Sequence, residues 1–164
     1  MSLILCFSLC GLFVLLPSFI SPEEPPDGFF QHLQAQHQRN IEHKKHAALI
    51  KLFQHYKCPQ LSFDVINDYL NAADTNNLDY RILPAISVQE SSCGKHYPTR
   101  THNLWGWNSA QSGFSSIPQG IDFVSKQLAG GRYYQGKSLI QKLRAYNPNA
   151  EYAPKIMALM KEMQ

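Results

Sequence analysis

Apolar residues recur at helical spacing along most of this chain. No proline or glycine interrupts residues 29 to 56, and Ile41, Ala48 and Leu52 share one side of a helix there because they are seven and four positions apart. Polar residues dominate the first half of this stretch. The pattern therefore predicts one long helix whose second half packs against a core and whose first half projects as a stalk.

Five shorter helices are predicted from the same periodicity and from helix start and stop signals. Ser62 is a favourable N-cap for the first of them, and Pro84 suits the first turn of the second. Gly131 ends the third, and Pro148 separates the last two. The five predicted helices cover residues 62 to about 74, 79 to about 91, 116 to 130, 138 to 145 and 151 to 163.

Residues 93 to 115 break the helical pattern. Glycines, a proline, asparagines and the two tryptophans of the chain, Trp105 and Trp107, follow one another there. Such a composition predicts a small lobe that is either irregular or a β-hairpin. The fold class is therefore mainly α, a helical domain with one small lobe set into it.

The beginning of the sequence differs from the rest. Residues 3 to 20 are almost all apolar, which is long for the core of a signal peptide and just long enough to span a membrane as a helix. Prolines and acids then form a linker that ends at Gly28. We expect a signal peptide or membrane anchor over residues 1–21, a linker over 22–28, a helical stalk over 29–57 and a folded domain over 58–164.

The apolar leader also predicts where the protein works. Its N-terminal segment would engage the membrane or the export machinery. We therefore expect an exported protein that is periplasmic, elsewhere in the cell envelope, or anchored to the outer face of the cytoplasmic membrane.

Four cysteines and seven histidines raise the question of metal or thiol chemistry. Cys6 and Cys10 lie in the leader, whereas Cys58 and Cys93 lie in the body, where an oxidising compartment would permit a disulfide. The sequence leaves open whether that pair meets. Five histidines lie in the long helix, but no cysteine or carboxylate cluster completes a metal site beside them. We expect neither a metal nor another cofactor.

Basic residues outnumber acidic ones in the C-terminal part of the chain. Nine lysines and arginines and only three acids lie between Lys95 and the end, a balance that predicts an anionic partner. Nucleic acid is disfavoured because the chain has no compact basic run and no recognisable nucleic-acid module, and because the leader directs it away from the genome. An anionic polymer of the cell envelope fits better.

Glu90 is the first candidate for chemistry. It lies near the end of a predicted helix and continues the apolar stripe of Leu83 and Ile86, which precede it by seven and four positions. A carboxyl group at the margin of an apolar pocket is partly withheld from water, so it can keep a proton near neutral pH and deliver it to a leaving group. The alternative is a solvated glutamate at a helix end.

The segment HNLWGWN, residues 102–108, follows this acid closely. Aromatic faces such as those of Trp105 and Trp107 stack on the apolar faces of sugar rings, and Gly106 between them lets a ligand approach the backbone. The pair therefore favours a sugar-binding groove, whereas ordinary core packing is the alternative.

Taken in order, five segments resemble the bacterial glucosaminidase family of autolysins, which is itself similar to lysozymes and soluble lytic transglycosylases. The segments are ESSCGKH, HNLWGWN, FSSIPQGIDFVSKQL, RYY and AYNPNAEYAPKI, and they lie between residues 78 and 163. The motif Glu-Ser-x-x-Gly is weakly specific by itself, so the resemblance rests on the ordered set.

The resemblance implies a lysozyme-like helical domain with a cleft that cuts the sugar strands of peptidoglycan. It implies Glu90 as the proton donor and Tyr146 and Tyr152 as tyrosines that shape the catalytic site. The residues that it places at the substrate are Ser91, Asn103, Trp105, Gly106, Trp107 and Tyr133.

One departure concerns the second acid that members of the family often carry in the lobe. Residues 91 to 121 contain no aspartate or glutamate. Asp122, the next acid, lies about 140° around its helix from Ile117, away from the apolar stripe. Glycosidases commonly need two carboxylates, but one suffices where the 2-acetamido group of the substrate attacks the sugar carbon. One also suffices in lytic transglycosylases, where the acid would next remove a proton from the sugar's 6-hydroxyl.

These observations together predict an enzyme that cleaves peptidoglycan strands as an endo-β-N-acetylglucosaminidase, with one glutamate as general acid and with substrate assistance. A lytic transglycosylase or a muramidase on the same fold is the first alternative. A non-catalytic peptidoglycan-binding module is the second, and the missing second acid favours it. A third class would use Cys93 as a nucleophile with His96 or His102 as its base.

Overall fold

The structure is a computed structural model, and it describes residues 28–59, 62–96 and 99–164. The predicted leader and nearly all of the predicted linker lie outside the described residues. The described part contains six α-helices and no β-strand: α1 (Phe29–His55), α2 (Phe63–Thr75), α3 (Ile82–Ser91), α4 (Ile117–Gly130), α5 (Leu139–Tyr146) and α6 (Tyr152–Lys161). The prediction of a mainly α chain is confirmed. Among the helices described, none has both the length and the apolar character that crossing a membrane requires.

The helices begin close to their predicted caps. Oγ of Ser62 accepts a hydrogen bond from the backbone N–H of Val65 at 3.2 Å and so caps α2. Such caps pair one of the four N–H groups that a helix leaves free at its start, and each contributes about 1 kcal/mol. α3 begins later than predicted because Asp79 binds the backbone N–H of Arg81 at 3.0 Å and its guanidinium group at 2.6 Å. These contacts form a turn before the helix.

α3 is the central helix of the domain. Every residue from Ile82 to Val88 is buried, so its apolar surface is wider than the single stripe read from Leu83 and Ile86. α6 packs along it, and the pair formed by α2 and α4 lies beside it. A helix buried all round positions its last turn accurately, and that turn carries Glu90.

The two halves of α1 differ in burial, as the sequence predicts. Every residue from Phe29 to Asn40 is exposed. Leu49, Leu52 and Phe53 are buried in the same core as α2 and α3. The last turns of α1 are therefore part of the folded domain, while its first turns project from it.

The lobe between α3 and α4 is irregular in its described residues. Two short 3-10 helices, Thr99–Thr101 and Trp107–Ala110, are joined by turns. The lobe is anchored by Trp105, which is fully buried and meets the rings of Tyr69 and Phe114 with centroid separations of 6.3 and 6.1 Å. The core of the domain therefore extends into the lobe.

Cys58 and Cys93 form a disulfide across 35 positions of sequence, with their Cα atoms 5.3 Å apart. The bond ties the segment after α1 to the turn that follows α3, and both cysteines are buried. While this bond is present Cys93 has no free thiol, so it cannot serve as a nucleophile with His96 or His102.

Removing this crosslink is expected to destabilise the domain. Replacing both cysteines with alanine should lower the free energy of unfolding by roughly 3–4 kcal/mol, because the unfolded chain regains the entropy of an open loop. Urea titrations followed by circular dichroism would measure the difference. A reductant should lower the midpoint of the wild type and leave that of the double variant unchanged. A wild-type midpoint that does not respond to reductant during unfolding would contradict the crosslink.

Candidate functional site

A cleft of about 570 Å³ opens where the end of α3, the lobe and the turn after α4 meet. Glu90 is the one charged side chain among the described residues that line it. Aromatic rings and small polar groups make up the rest of its lining. The lining residues are Glu90, Gly106, Trp107, Asn108, Ser109, Ser112, Tyr133, Tyr134, Tyr146 and Asn147.

Glu90 lies in the last turn of α3 and is partly buried. Gly106 of the lobe packs directly against it: a Cβ atom added there would lie 2.9 Å from Oε2 of Glu90. Gly106 also has a left-handed backbone, with φ of +61°. Both features favour glycine over any other residue at this position. The backbone of the lobe thus lies directly against the carboxyl group of Glu90.

Ser91 does not line the cleft. Its side chain is buried, and its Oγ donates a hydrogen bond to the backbone oxygen of Leu104 at 2.7 Å. The same Oγ accepts one from the N–H of Gly94 at 2.8 Å. The structure therefore places Ser91 as a link between the end of α3 and the lobe, with no part of its hydroxyl left for a ligand.

Asn103 is buried as well, and its side-chain amide holds the lobe together. Its Nδ2 donates to the backbone oxygens of Trp107 and Ser112 at 2.9 and 2.8 Å. Its Oδ1 accepts from the N–H of Trp107 at 3.0 Å. These three hydrogen bonds close the loop that carries Asn108 and Ser109 along the cleft. Asn103 shapes the cleft without reaching into it.

The two tryptophans are placed differently. Trp105 is fully buried in the core, whereas Trp107 is partly exposed and lines the cleft. The Trp107 ring meets those of Tyr146 and Phe123 with centroid separations of 5.8 and 5.9 Å. Of the pair, only Trp107 is placed to stack on a sugar, and Trp105 has the core-packing role that was the alternative.

Tyr146 and Tyr152 stack on each other beside Glu90, with ring centroids 5.9 Å apart and an interplanar angle of 9°. The hydroxyl of Tyr146 donates a short hydrogen bond to the backbone oxygen of Trp105. Burial, and after it the carboxylate of Glu90, raises the pKa of Tyr146 well above its ordinary value. Tyr146 therefore stays protonated and fixes the backbone of the lobe.

The hydroxyl of Tyr152 is buried and makes no hydrogen bond of good geometry within the described part of the chain. It nevertheless lies close enough to Glu90 for that carboxylate, together with the larger effect of burial, to raise the pKa of Tyr152 strongly. A buried hydroxyl without a hydrogen-bond partner lowers the stability of the fold, so its presence calls for an explanation such as a role at a functional site. Tyr152 thus brings a protonated donor to the candidate acid.

Tyr133 stands at the mouth of the cleft with 73% of its surface exposed, while its neighbour Tyr134 is buried in the wall. An exposed aromatic ring beside a cleft is free to meet a ligand. Tyr133 therefore lines the same cleft as Glu90, Gly106, Trp107 and Tyr146.

Five lining residues were not expected from the sequence: Asn108, Ser109, Ser112, Tyr134 and Asn147. Asn108 and Ser109, with Ala110 after them, have φ angles of 54°, 54° and 57°. Asparagine and serine are favoured in turns, and asparagine tolerates this left-handed backbone better than most residues. These residue types indicate a turn, but they do not show that the turn faces Glu90.

Among the described residues, Glu90 is the one carboxylate that lines the cleft. Asp122 is on the exposed side of α4, where it forms an ion pair of 2.8 Å with Lys126. Two larger cavities, of about 780 and 860 Å³, flank α1. In the first, Lys45 and Arg81 are paired with Asp74 and Asp79. Among the residues described, no group of three or more His, Cys, Asp and Glu side chains could hold a metal ion.

The chain has no match among protein-family models, curated proteins or solved structures. The likeness to glucosaminidases therefore remains one of short ordered segments.

Removing the amide of Asn103 is expected to destabilise the lobe. Asn103→Ala should lower the free energy of unfolding by about 2–4 kcal/mol, because it leaves partly buried backbone groups of Trp107 and Ser112 unpaired. Chemical denaturation would measure this. Asn71→Ala is the matched control, since Asn71 is exposed on α2, and it should change stability by less than about 0.5 kcal/mol. Equal losses of unfolding free energy in the two variants would show that the Asn103 amide does not hold the lobe together.

Proposed function

We propose that this chain is a glycosidase that cleaves the glycan strands of peptidoglycan, with Glu90 as its proton donor. The observation that carries the proposal is a partly buried carboxyl group at the end of the central helix, facing a cleft with aromatic walls and no other charged group among its described lining residues. The helical arrangement around this cleft is proposed to be of the lysozyme type. The apolar leader supports an exported enzyme of the cell envelope.

The cleft has the chemistry that a polysaccharide needs. Trp107 and Tyr133 offer aromatic faces for the apolar faces of sugar rings. Asn108, Ser109 and Asn147 offer polar groups for hydroxyl and acetamido substituents. Aromatic and small polar groups along an open groove suit a long chain of sugars better than a compact ligand.

A single acid is sufficient for a sugar that carries a 2-acetamido group. The acetamido oxygen attacks the anomeric carbon, the bond to the leaving oxygen breaks, and Glu90 gives that oxygen its proton. Water then opens the cyclic intermediate while the Glu90 carboxylate takes up the water's proton. The absence of a second carboxylate from the described cleft lining favours this route over a two-carboxylate mechanism.

Tyr152 supports the step in which Glu90 loses its proton. Its hydroxyl stays protonated and lies beside the carboxyl group. Once Glu90 becomes a carboxylate, this hydroxyl can donate a hydrogen bond to it and stabilise the negative charge. Tyr146 has its hydroxyl engaged with the Trp105 backbone, so its part is to hold the lobe in place.

A lytic transglycosylase is the second candidate, and the lone acid favours it equally. In that reaction the 6-hydroxyl of the sugar takes the place of water, and the released strand ends in an anhydro ring. Mass spectrometry of the soluble products separates the possibilities, because hydrolysis leaves reducing glucosamine or muramic acid ends. Products with intact sugar strands would exclude a glycosidase altogether.

Glu90→Gln should abolish cleavage while keeping the cleft intact. Glutamine has the same shape but no proton to deliver, so the rate of sacculus clearing is expected to fall at least about a hundredfold. Co-sedimentation with insoluble sacculi should show that binding is retained. An unchanged clearing rate would leave a binding module as the better account.

Tyr152→Phe and Tyr146→Phe are expected to separate catalysis from stability. Loss of the Tyr152 hydroxyl should lower the cleavage rate about ten- to a hundredfold with little loss of stability, because that hydroxyl lacks a settled partner. Loss of the Tyr146 hydroxyl should instead cost about 1–2 kcal/mol of unfolding free energy, because the Trp105 oxygen loses its donor. Rate assays and thermal melts on both variants test the contrast, and a reversed pattern would refute the assignment.

A further inference from the structure

The turn after α4 forms one wall of the cleft. It comprises residues 131–137, and we refer to it as the basic wall. Backbone hydrogen bonds fold it: the N–H groups of Tyr134 and Gln135 both donate to the oxygen of Gly131, at 2.8 and 3.0 Å. The N–H of Lys137 donates to the oxygen of Tyr134 at 3.2 Å. Because Tyr133 and Tyr134 line the cleft, a ligand held there lies against this turn.

Two cations of the basic wall, Arg132 and Lys137, lack partners. Both side chains are exposed, and neither makes an ion pair or a side-chain hydrogen bond with another described residue. Residues 123 to 150 contain five lysines and arginines and no acid. The positive charge of the basic wall is therefore not balanced by its neighbours in sequence.

Several other cations of the domain are used within the fold. Lys45 pairs with Glu42 and Asp74, and Arg81 pairs with Asp79. On α4 itself, Lys126 pairs with Asp122. Unpaired cations concentrated beside a cleft raise the local concentration of anionic ligands. Arg132 and Lys137 form no such ion pair among the described residues, and they lie in the turn that brings Tyr133 and Tyr134 to the cleft.

We propose that the basic wall binds carboxylates carried by the glycan strand, so that the enzyme prefers acidic strands to neutral ones. This inference rests on the proposed function. Peptidoglycan has two sources of such carboxylates: the stem peptide where one is attached to muramic acid, and the lactyl group of muramic acid where the stem has been removed. Tyr133 would stack on a sugar while Arg132 and Lys137 neutralise the substituent of that sugar or of the next one. Arg132 in particular can bind a carboxylate with two parallel hydrogen bonds.

The test uses the full chain carrying Glu90→Gln, so that binding is measured without cleavage. Fluorescence anisotropy would give Kd for three labelled soluble strands: one with stem peptides, one stripped of stems by an amidase, and a stripped one whose lactyl carboxylates are amidated. The double variant Arg132→Gln/Lys137→Gln is compared with Lys155→Gln/Lys161→Gln. The control pair removes the same charge from α6, outside the cleft lining.

We expect the parent chain to bind acidic strands about three- to tenfold more tightly than the amidated strand, the size expected of one or two exposed charge contacts. The Arg132/Lys137 variant should lose this preference and leave Kd for the amidated strand unchanged. The Lys155/Lys161 variant should keep the preference. Tight binding of the stem-bearing strand alone would identify the stem as the source, and tight binding of the stripped strand alone would identify the lactyl group. Tight binding of both acidic strands would show that the basic wall accepts either carboxylate.

Two outcomes overturn the inference without touching the proposed function. One is equal binding of all three strands by the parent chain. The other is an equal loss of preference in both double variants, which would show a general effect of net charge. Failure to bind any strand, together with a wild-type chain that does not clear sacculi, would instead overturn the proposed function and the inference together.

Discussion

The burial of Trp105 is the constraint on which the cleft depends. Its ring occupies the core between α2 and the lobe, and Gly120 of α4 leaves it room, since a Cβ there would lie 2.4 Å from Cζ3 of the indole. Fixing this ring fixes the backbone on either side of it. The next residue, Gly106, then lies against Glu90, and the one after it, Trp107, faces the cleft. The indole N–H lies near the Tyr69 hydroxyl but makes no hydrogen bond of good geometry with the described residues, a cost that the large buried area of the ring offsets.

The polar side chains around Trp105 make their hydrogen bonds to the backbone. Ser91 joins α3 to Leu104, Asn103 closes the loop that follows, and Tyr146 holds the oxygen of Trp105. Each uses its hydrogen-bonding groups within the fold. Glu90, which lines the cleft, and the hydroxyl of Tyr152, which lies near Glu90 outside the cleft lining, are not used in this way. The segments that resemble a catalytic motif thus divide into residues that build the cleft and residues that the proposed mechanism uses.

The sequence predicted the helices well because each depends on local signals. Ser62, Pro84 and the apolar periodicity are readable within a few residues of the helix they define. The lobe was not predictable in this way, because its shape depends on Trp105 meeting α2 and on the left-handed run from Asn108 to Ala110. Spacing gave the position of Glu90 but not which groups would surround it. Likewise, two cysteines in a sequence do not reveal that they lie side by side.

The charged groups near the cleft are kept apart in the described part of the chain. A cation in contact with a carboxyl group favours the charged form of that group, which carries no proton for a leaving oxygen. Glu90 has no ion-pair partner among the described residues, and the side chains that face it are aromatic or neutral. The unpaired cations Arg132 and Lys137 are instead exposed in the turn beyond Tyr133 and Tyr134. In the proposed enzyme, this separation would let the turn attract an anionic strand without placing a cation against the acid that protonates it.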